Sequence, residues 1–299
     1  MRRPTPSAPD WLDSQYNPRL RVPGFGAYLA QWAAWSAEAR QRPGVLTDVA
    51  YGDGTAETLD LFLPEHGPRR RRGAGGAPVL VFIHGGYWRA LDKADHSFVA
   101  PAFTTRGALV VVPNYALCPA VTVADITLQM VRALAWVWRH IADYGGDPWR
   151  VTVAGHSAGG HLAAMLMCTE WPRYAADLPP AWIRHALAIS GLFELEPLRR
   201  APFLRDALRL TPAWARRLSP ALLPAPAPRA GGAGTVACVV GGAESEEFQR
   251  QNGLLRERWG PAVVPVCEAL PGLHHFSILD ALARPRHRLH RLACKLLGV

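Results

Sequence analysis

VTVAGHSAGGHLAAML, residues 151–166, joins three unlike pieces: a β-branched run, a Gly-x-Ser-x-Gly and an alanine-rich stretch. The first favours an extended strand and the last a helix. Between them, Gly155 and Gly159 permit a tight strand-to-helix turn in which a larger side chain would clash. Such a turn lifts the Ser157 hydroxyl above the sheet and sets the Ala158 amide at a helix N-terminus. Gly-x-Ser-x-Gly alone is common by chance. With a strand before it and a helix after it, the serine reads as a nucleophile.

The rest of the chain repeats the same rhythm. ETLDLFLP (57–64) alternates with period two, and APVLVFIHGG (77–86) is a continuous apolar run ending at glycines, as a doubly covered central strand should be. ALVVVPNY (108–115), RVTVAGHS, HALAISG (185–191), TVACVVGG (235–242) and VVPVCEALPG (263–272) complete a set of predicted strands. ADITLQMVRALAWVWRHIADYGG carries a helical stripe closed by Gly145 and Gly146. Strand and helix in alternation predict an α/β class, a mostly parallel central sheet flanked by helices, formed by residues 1–299 as a single domain. Between about 192 and 234 the pattern changes to short helices and a Pro/Ala/Gly loop, expected to form a small helical cap over the site. Ligands in such sheets bind at the carboxyl ends of the strands. Each chemically suggestive residue of this chain follows directly on a strand.

A serine hydroxyl is a weak nucleophile and needs a base, an orienting acid and an oxyanion hole. FIHGGYW (82–88) supplies the hole: the amides of Gly86 and Tyr87, with that of Ala158, are the natural donors. His84 is expected to fix its loop, and His156 to be structural, its ring turned away from the serine. The order serine, acid, histidine points to the C-terminal region for the base. His275 in LPGLHHFSIL (270–279) is chosen, with His274 a supporting or exposed neighbour. The acid belongs just past TVACVVGG, which selects Glu244. Glu246 and Glu247 are rivals, better suited to the first turn of the next helix, where acids favour the dipole. Tyr87, Trp88 and Phe276 are expected to line the substrate pocket.

Composition narrows the remaining classes. Hydrophobic residues make up 49% of 299, enough for a large core and too many for a disordered chain. The net charge of +9 invites a nucleic-acid reading. Much of the excess is arginine in two places, a Gly/Pro-flanked run at 69–72 and the C-terminal ARPRHRLHRLACK, both read as solvated faces. No nucleic-acid module accompanies them, so no nucleic acid is expected, and no apolar stretch is long enough for a membrane span. Five scattered cysteines form no C-x-x-C pair, so neither a disulfide framework nor a metal site follows, and no cofactor is expected. Residues 1–10, MRRPTPSAPD, lack the apolar segment of a secretory signal. The expectation is a reduced, soluble, cytoplasmic protein acting on a small molecule, with a homodimer left open.

With these residues in place the chain resembles the α/β-hydrolase fold, and within it the arylformamidases (kynurenine formamidases) and their bacterial esterase relatives. The carrying residues are His84-Gly85-Gly86-Tyr87-Trp88, which is similar to the family's HGGxW oxyanion segment, and Gly155-His156-Ser157-Ala158-Gly159. SGLFELEPL (190–198), LRLTPAWARRLSP (208–220), ESEEFQRQN (244–252), HHFSIL (274–279) and YNPRLRVPGFGAYLAQW (16–32) extend the resemblance over roughly residues 12 to 298. Glu244 falls where the family usually has aspartate. The resemblance implies a serine hydrolase with a Ser157–Glu244–His275 triad that converts N-formyl-L-kynurenine to kynurenine and formate in tryptophan breakdown. Close relatives hydrolyse small-acyl esters, and the motifs do not separate the formamidase from the carboxylesterase. A ligand receptor that has lost catalysis would lack a triad member, and an acyltransferase is the remaining alternative.

Overall fold

In the computed structural model, which describes residues 8–65, 75–226 and 234–299, the apolar runs line up in one eight-stranded sheet. The strands are β1 (Val45–Ala50), β2 (Thr58–Phe62), β3 (Ala77–Ile83), β4 (Leu109–Pro113), β5 (Gly146–His156), β6 (His185–Ile189), β7 (Thr235–Gly241) and β8 (Val266–Leu270). Their order is β1-β2-β4-β3-β5-β6-β7-β8. β2 pairs antiparallel with both β1 and β4, and every other pairing is parallel. β1 was not among the expected strands. It is an edge strand whose residues are mostly exposed, so neither an apolar run nor a clean alternation marks it.

Thirteen α-helices accompany the strands among the described residues. α1 (Pro9–Tyr16), α2 (Pro18–Arg21) and α3 (Phe25–Arg40) precede the sheet. α4 (Pro101–Thr104), α5 (Val123–His140), α6 (Ala158–Met167) and α7 (Trp171–Tyr174) follow in its first half. α8 (Glu196–Arg200), α9 (Pro202–Leu208) and α10 (Pro212–Arg217) lie between β6 and β7. α11 (Glu246–Val263), α12 (Ser277–Ala283) and α13 (Arg288–Leu297) close the chain.

The two faces of the sheet carry separate cores, and the strand pleat sorts side chains between them. Along β3, Val79, Val81 and Ile83 pack into the core under α5 and α6, while Leu80 and Phe82 pack into the one under α3, α12 and α13. Both faces being covered, all seven residues of β3 are buried, which is why the strand is apolar throughout. α5 begins at a capping box, with Thr122 and Asp125 each bonding the other's backbone amide. The basic C-terminal run becomes α13: Leu289, Leu292 and Leu297 face the core and Arg288, Arg291 and Lys295 face solvent. The arginine run at 69–72 and residues 227–233 of the expected cap lie outside the described residues. The cysteines are unbridged, and no described helix is long and apolar enough to cross a membrane.

Candidate active site

Ser157 occupies the one residue between β5 and α6, at φ 57° and ψ −117°. A residue with a Cβ pays for positive φ, so the surroundings must hold it there. Its amide donates to the Ile189 carbonyl at the end of β6 (2.8 Å), and its carbonyl accepts from the His161 amide (3.1 Å). The turn is closed by direct backbone contact. A Cβ on Gly155 would strike the Gly159 carbonyl, and one on Gly159 would strike the carbonyls of Ile83 and His84. A Cβ on Gly85 would come within 3.2 Å of the Ser157 Cβ, so the glycine lets the HGG segment lie against the serine. Among the described residues, nothing accepts a hydrogen bond from the amides of Gly86, Tyr87 or Ala158. These unspent donors are what an oxyanion hole requires.

His275 lies in the loop between β8 and α12, buried to 5% exposure between the rings of His156 (4.5 Å) and Phe248 (4.6 Å). Its Nδ1 is 2.6 Å from the Glu244 Oε2, which orients the ring and leaves Nε2 for proton exchange. Glu244 sits in the turn from β7 to α11 with its side chain 1% exposed. Its second oxygen accepts from the Ser190 hydroxyl (2.6 Å) and the Gly241 amide (2.8 Å). The acid and histidine loops are stitched together by two backbone bonds, Gly242 to the Leu270 carbonyl (2.7 Å) and Ala243 to that of Leu273 (2.9 Å). The rivals take other work. Glu246 is exposed on the first turn of α11, and Glu247 accepts from the Tyr16 hydroxyl and pairs with Arg250.

The other histidines separate by contact. His84 stacks on Tyr115 (4.2 Å, 6° between planes) and bonds the Gly85 carbonyl and Asn114, so it braces the loop; burial pushes its pKa down to about 4. His274 caps α12 by accepting from the amides of Phe276 and Ser277. His156 lines the cavity together with Ser157 and His275, its ring 4.5 Å from that of His275. Burial, and then the neighbouring His275, drive its pKa well below the usual value, so it is a neutral wall.

Ser157 and His275 open into a cavity of about 280 Å³. Gly86 and Tyr87 form one side, and the rings of Trp32, Phe203 and Phe276 add to the wall. Trp88 is a correction: it does not line the cavity. Tyr87 and Trp88 both turn at positive φ (52° and 55°), and their rings meet edge-on at 6.3 Å. Tyr87 reaches the cavity, its hydroxyl donating to the Tyr16 carbonyl, whereas the indole of Trp88 is fully buried and meets His161 of α6 edge-on at 4.9 Å.

The covering also differs from the sequence reading. Of residues 192–226, Phe203 alone lines the cavity, while Asn17, Pro18 and Arg19 come to it from the N-terminal segment. Tyr16 anchors that segment: it is fully buried, its hydroxyl bonds Glu247 (2.5 Å) and Gln251 (3.1 Å), and α1 packs on α8, α9 and α11.

Comparison with known proteins agrees with this construction. A model of the carboxylesterase family matches residues 56–178, the span that holds both HGGYW and GHSAG. Kynurenine formamidase of Danio rerio is 28% identical over 296 residues, 97% of this chain and 96% of that protein. A solved candidate thioesterase from Silicibacter sp. superposes with TM-score 0.77 at 29% identity, covering 96% of this chain and 99% of the other. The chain has the α/β-hydrolase fold. Esterase B of Lactobacillus rhamnosis, at 20% identity and TM-score 0.67, covers 94% and 96% of the two chains and shares the fold.

Two features of this hydrolase's site escaped the sequence reading. Ser190, held at φ 49° directly after β6, donates to Glu244; its one signal was a serine at a strand's carboxyl end. The N-terminal wall carried no chemical signal, because Tyr16 and Asn17 gain their roles from partners more than 200 positions away or from the cavity itself.

Proposed function

We propose that this hydrolase is an arylformamidase, cleaving N-formyl-L-kynurenine to kynurenine and formate through Ser157, Glu244 and His275. The observation that carries the reading is the cavity wall: Trp32, Tyr87, Phe203 and Phe276 present four aromatic rings beside Ser157, suited to an aryl leaving group. The near full-length similarity to a kynurenine formamidase supports it. In the first half-reaction Ser157 Oγ attacks the formyl carbon while His275 Nε2 takes its proton, and Glu244 steadies the resulting imidazolium. The amides of Gly86, Tyr87 and Ala158 hold the oxyanion. The C–N bond then breaks as His275 returns the proton to the departing amine. Water, deprotonated by the same imidazole, releases formate from the formyl-serine.

A second reading, hydrolysis of small-acyl esters, is favoured by the carboxylesterase-family match across both motifs. Side-by-side kcat/KM on N-formylkynurenine and on a p-nitrophenyl ester series decides between them. The formamidase reading expects efficient turnover of the formamide and a fall in ester rates beyond a few acyl carbons. Ester rates rising with chain length, with no formamide turnover, would replace it with the esterase reading. Phe203→Ala is expected to weaken the formanilide more than p-nitrophenyl acetate.

A further inference from the structure

The cavity is lined by two arginines and by no carboxylate. Arg19 comes from the N-terminal segment and Arg89 from the loop after HGGYW, so two segments distant in sequence bring like charges to one opening. Both residues are exposed, and both lie outside the two arginine-rich runs that account for much of the net charge. Among the described residues neither is paired with an aspartate or glutamate, whereas Arg40, Arg132 and Arg250 each hold at least one. Each is instead steadied by a ring: the guanidinium carbon of Arg19 lies 5.3 Å from the Phe25 centroid, and that of Arg89 lies 5.6 Å from the Phe203 centroid. A guanidinium resting on a ring keeps its N–H edge available for a planar anion.

We infer that Arg19 and Arg89 form a carboxylate clamp at the cavity mouth, selecting substrates with an anionic group on the leaving side, remote from the scissile bond. Like charges drawn together without a counter-ion repel, and an incoming carboxylate relieves that repulsion while the aromatic walls keep water from screening it fully. His156 is neutral and Asn17 is spent in part on capping α2, its oxygen accepting from the Arg19 amide (3.2 Å). The two arginines are therefore the fixed charges at the opening. The inference rests on the proposed reading in one respect, that the leaving group is the aryl side of the substrate.

The test uses p-nitrophenyl acetate hydrolysis as the reporter, so it does not require formamide turnover. Competitive inhibition is measured with 4-(2-aminophenyl)-4-oxobutanoate and with its neutral primary amide, on the wild type, Arg19→Gln, Arg89→Gln, the double variant and the double Arg→Lys variant. The wild type is expected to prefer the acid by about tenfold. That preference is expected to fall severalfold in each glutamine variant, to vanish in the double one, to be kept only in part by the lysine pair, which retains the charge without the planar N–H edge, and to shrink with added NaCl. Equal affinity for acid and amide in the wild type would overturn the clamp. So would a preference that persists in the double glutamine variant, or equal weakening of both inhibitors. Absence of N-formylkynurenine turnover alongside an intact acid preference would count against the formamidase reading and leave the clamp standing.

Discussion

Replacing Glu244 with glutamine exchanges one carboxylate oxygen for an NH₂, and the surrounding donors dictate which one. Oε1 accepts from the Gly241 amide (2.8 Å) and the Ser190 hydroxyl (2.6 Å). The hydroxyl can rotate, but the backbone amide cannot, so the glutamine carbonyl must stay on that side. Its NH₂ then faces His275 Nδ1 at the 2.6 Å position, where it can only donate. The imidazole proton is driven to Nε2, the nitrogen that has to accept from Ser157. Flipping the amide restores the useful tautomer but sets NH₂ against the Gly241 N–H, which costs about 1–3 kcal/mol. The flipped form also lacks the charge that stabilises imidazolium. Together these predict a fall in kcat of ~10⁴, or about 5 kcal/mol in the barrier, with the fold retained. The assay is p-nitrophenyl acetate turnover with a melting curve on the same sample, beside Glu247→Gln, which is expected to be mild. A loss below tenfold in Glu244→Gln, or an equal loss in Glu247→Gln, would refute the reasoning.

Ser157→Ala is expected to abolish turnover of every ester and amide substrate, and a fluorophosphonate should label the wild type at Ser157 alone, read by peptide mass spectrometry. Gly159→Ala should destabilise the protein by roughly 3 kcal/mol, since its Cβ meets two backbone carbonyls that β3 cannot withdraw; an unchanged melting temperature would contradict the packing. Burial lowers the pKa of His84, His96 and His161 from 6.5 to about 4. The unfolded chain therefore binds more protons in this window, so stability is full above pH 6.5 and is lost as pH falls toward 4, by up to roughly 3 kcal/mol per imidazole. Urea midpoints between pH 7 and pH 5 check the slope, and a flat profile would contradict it.

What could be read from the chain, and what could not, follows from where each signal resides. The central strands announce themselves because both of their faces are covered, leaving no room for polar residues. β1 stays hidden because an exposed edge imposes no such demand. Ser157 and HGGYW are legible because close backbone approach admits only glycine, which is a local requirement. Trp88 misled because the glycines mark the loop without saying which of its two rings meets the cavity and which the core. Ser190 follows a strand, Trp32 lies mid-way along α3 and Arg19 in the short α2, places that nothing local distinguishes. Their relation to the site exists only after the sheet has assembled.

Tyr16 gives the chain an unusual dependence of its beginning on its end. Its hydroxyl waits for Glu247, 231 positions later, and its carbonyl waits for Tyr87. During synthesis the segment that becomes a wall of the cavity precedes every element it packs on, and the last of them, α11, leaves the ribosome long after it. Strands as central as β3 and β5 can meet much earlier. Between those moments the nucleophile turn can already be shaped while the cavity still stands open on that side. A truncated chain halted before α11 would also lack His275, so it would present a formed elbow without the base to use it. Competence for chemistry thus arrives in one late step, when the last third of the chain seats the first twenty residues.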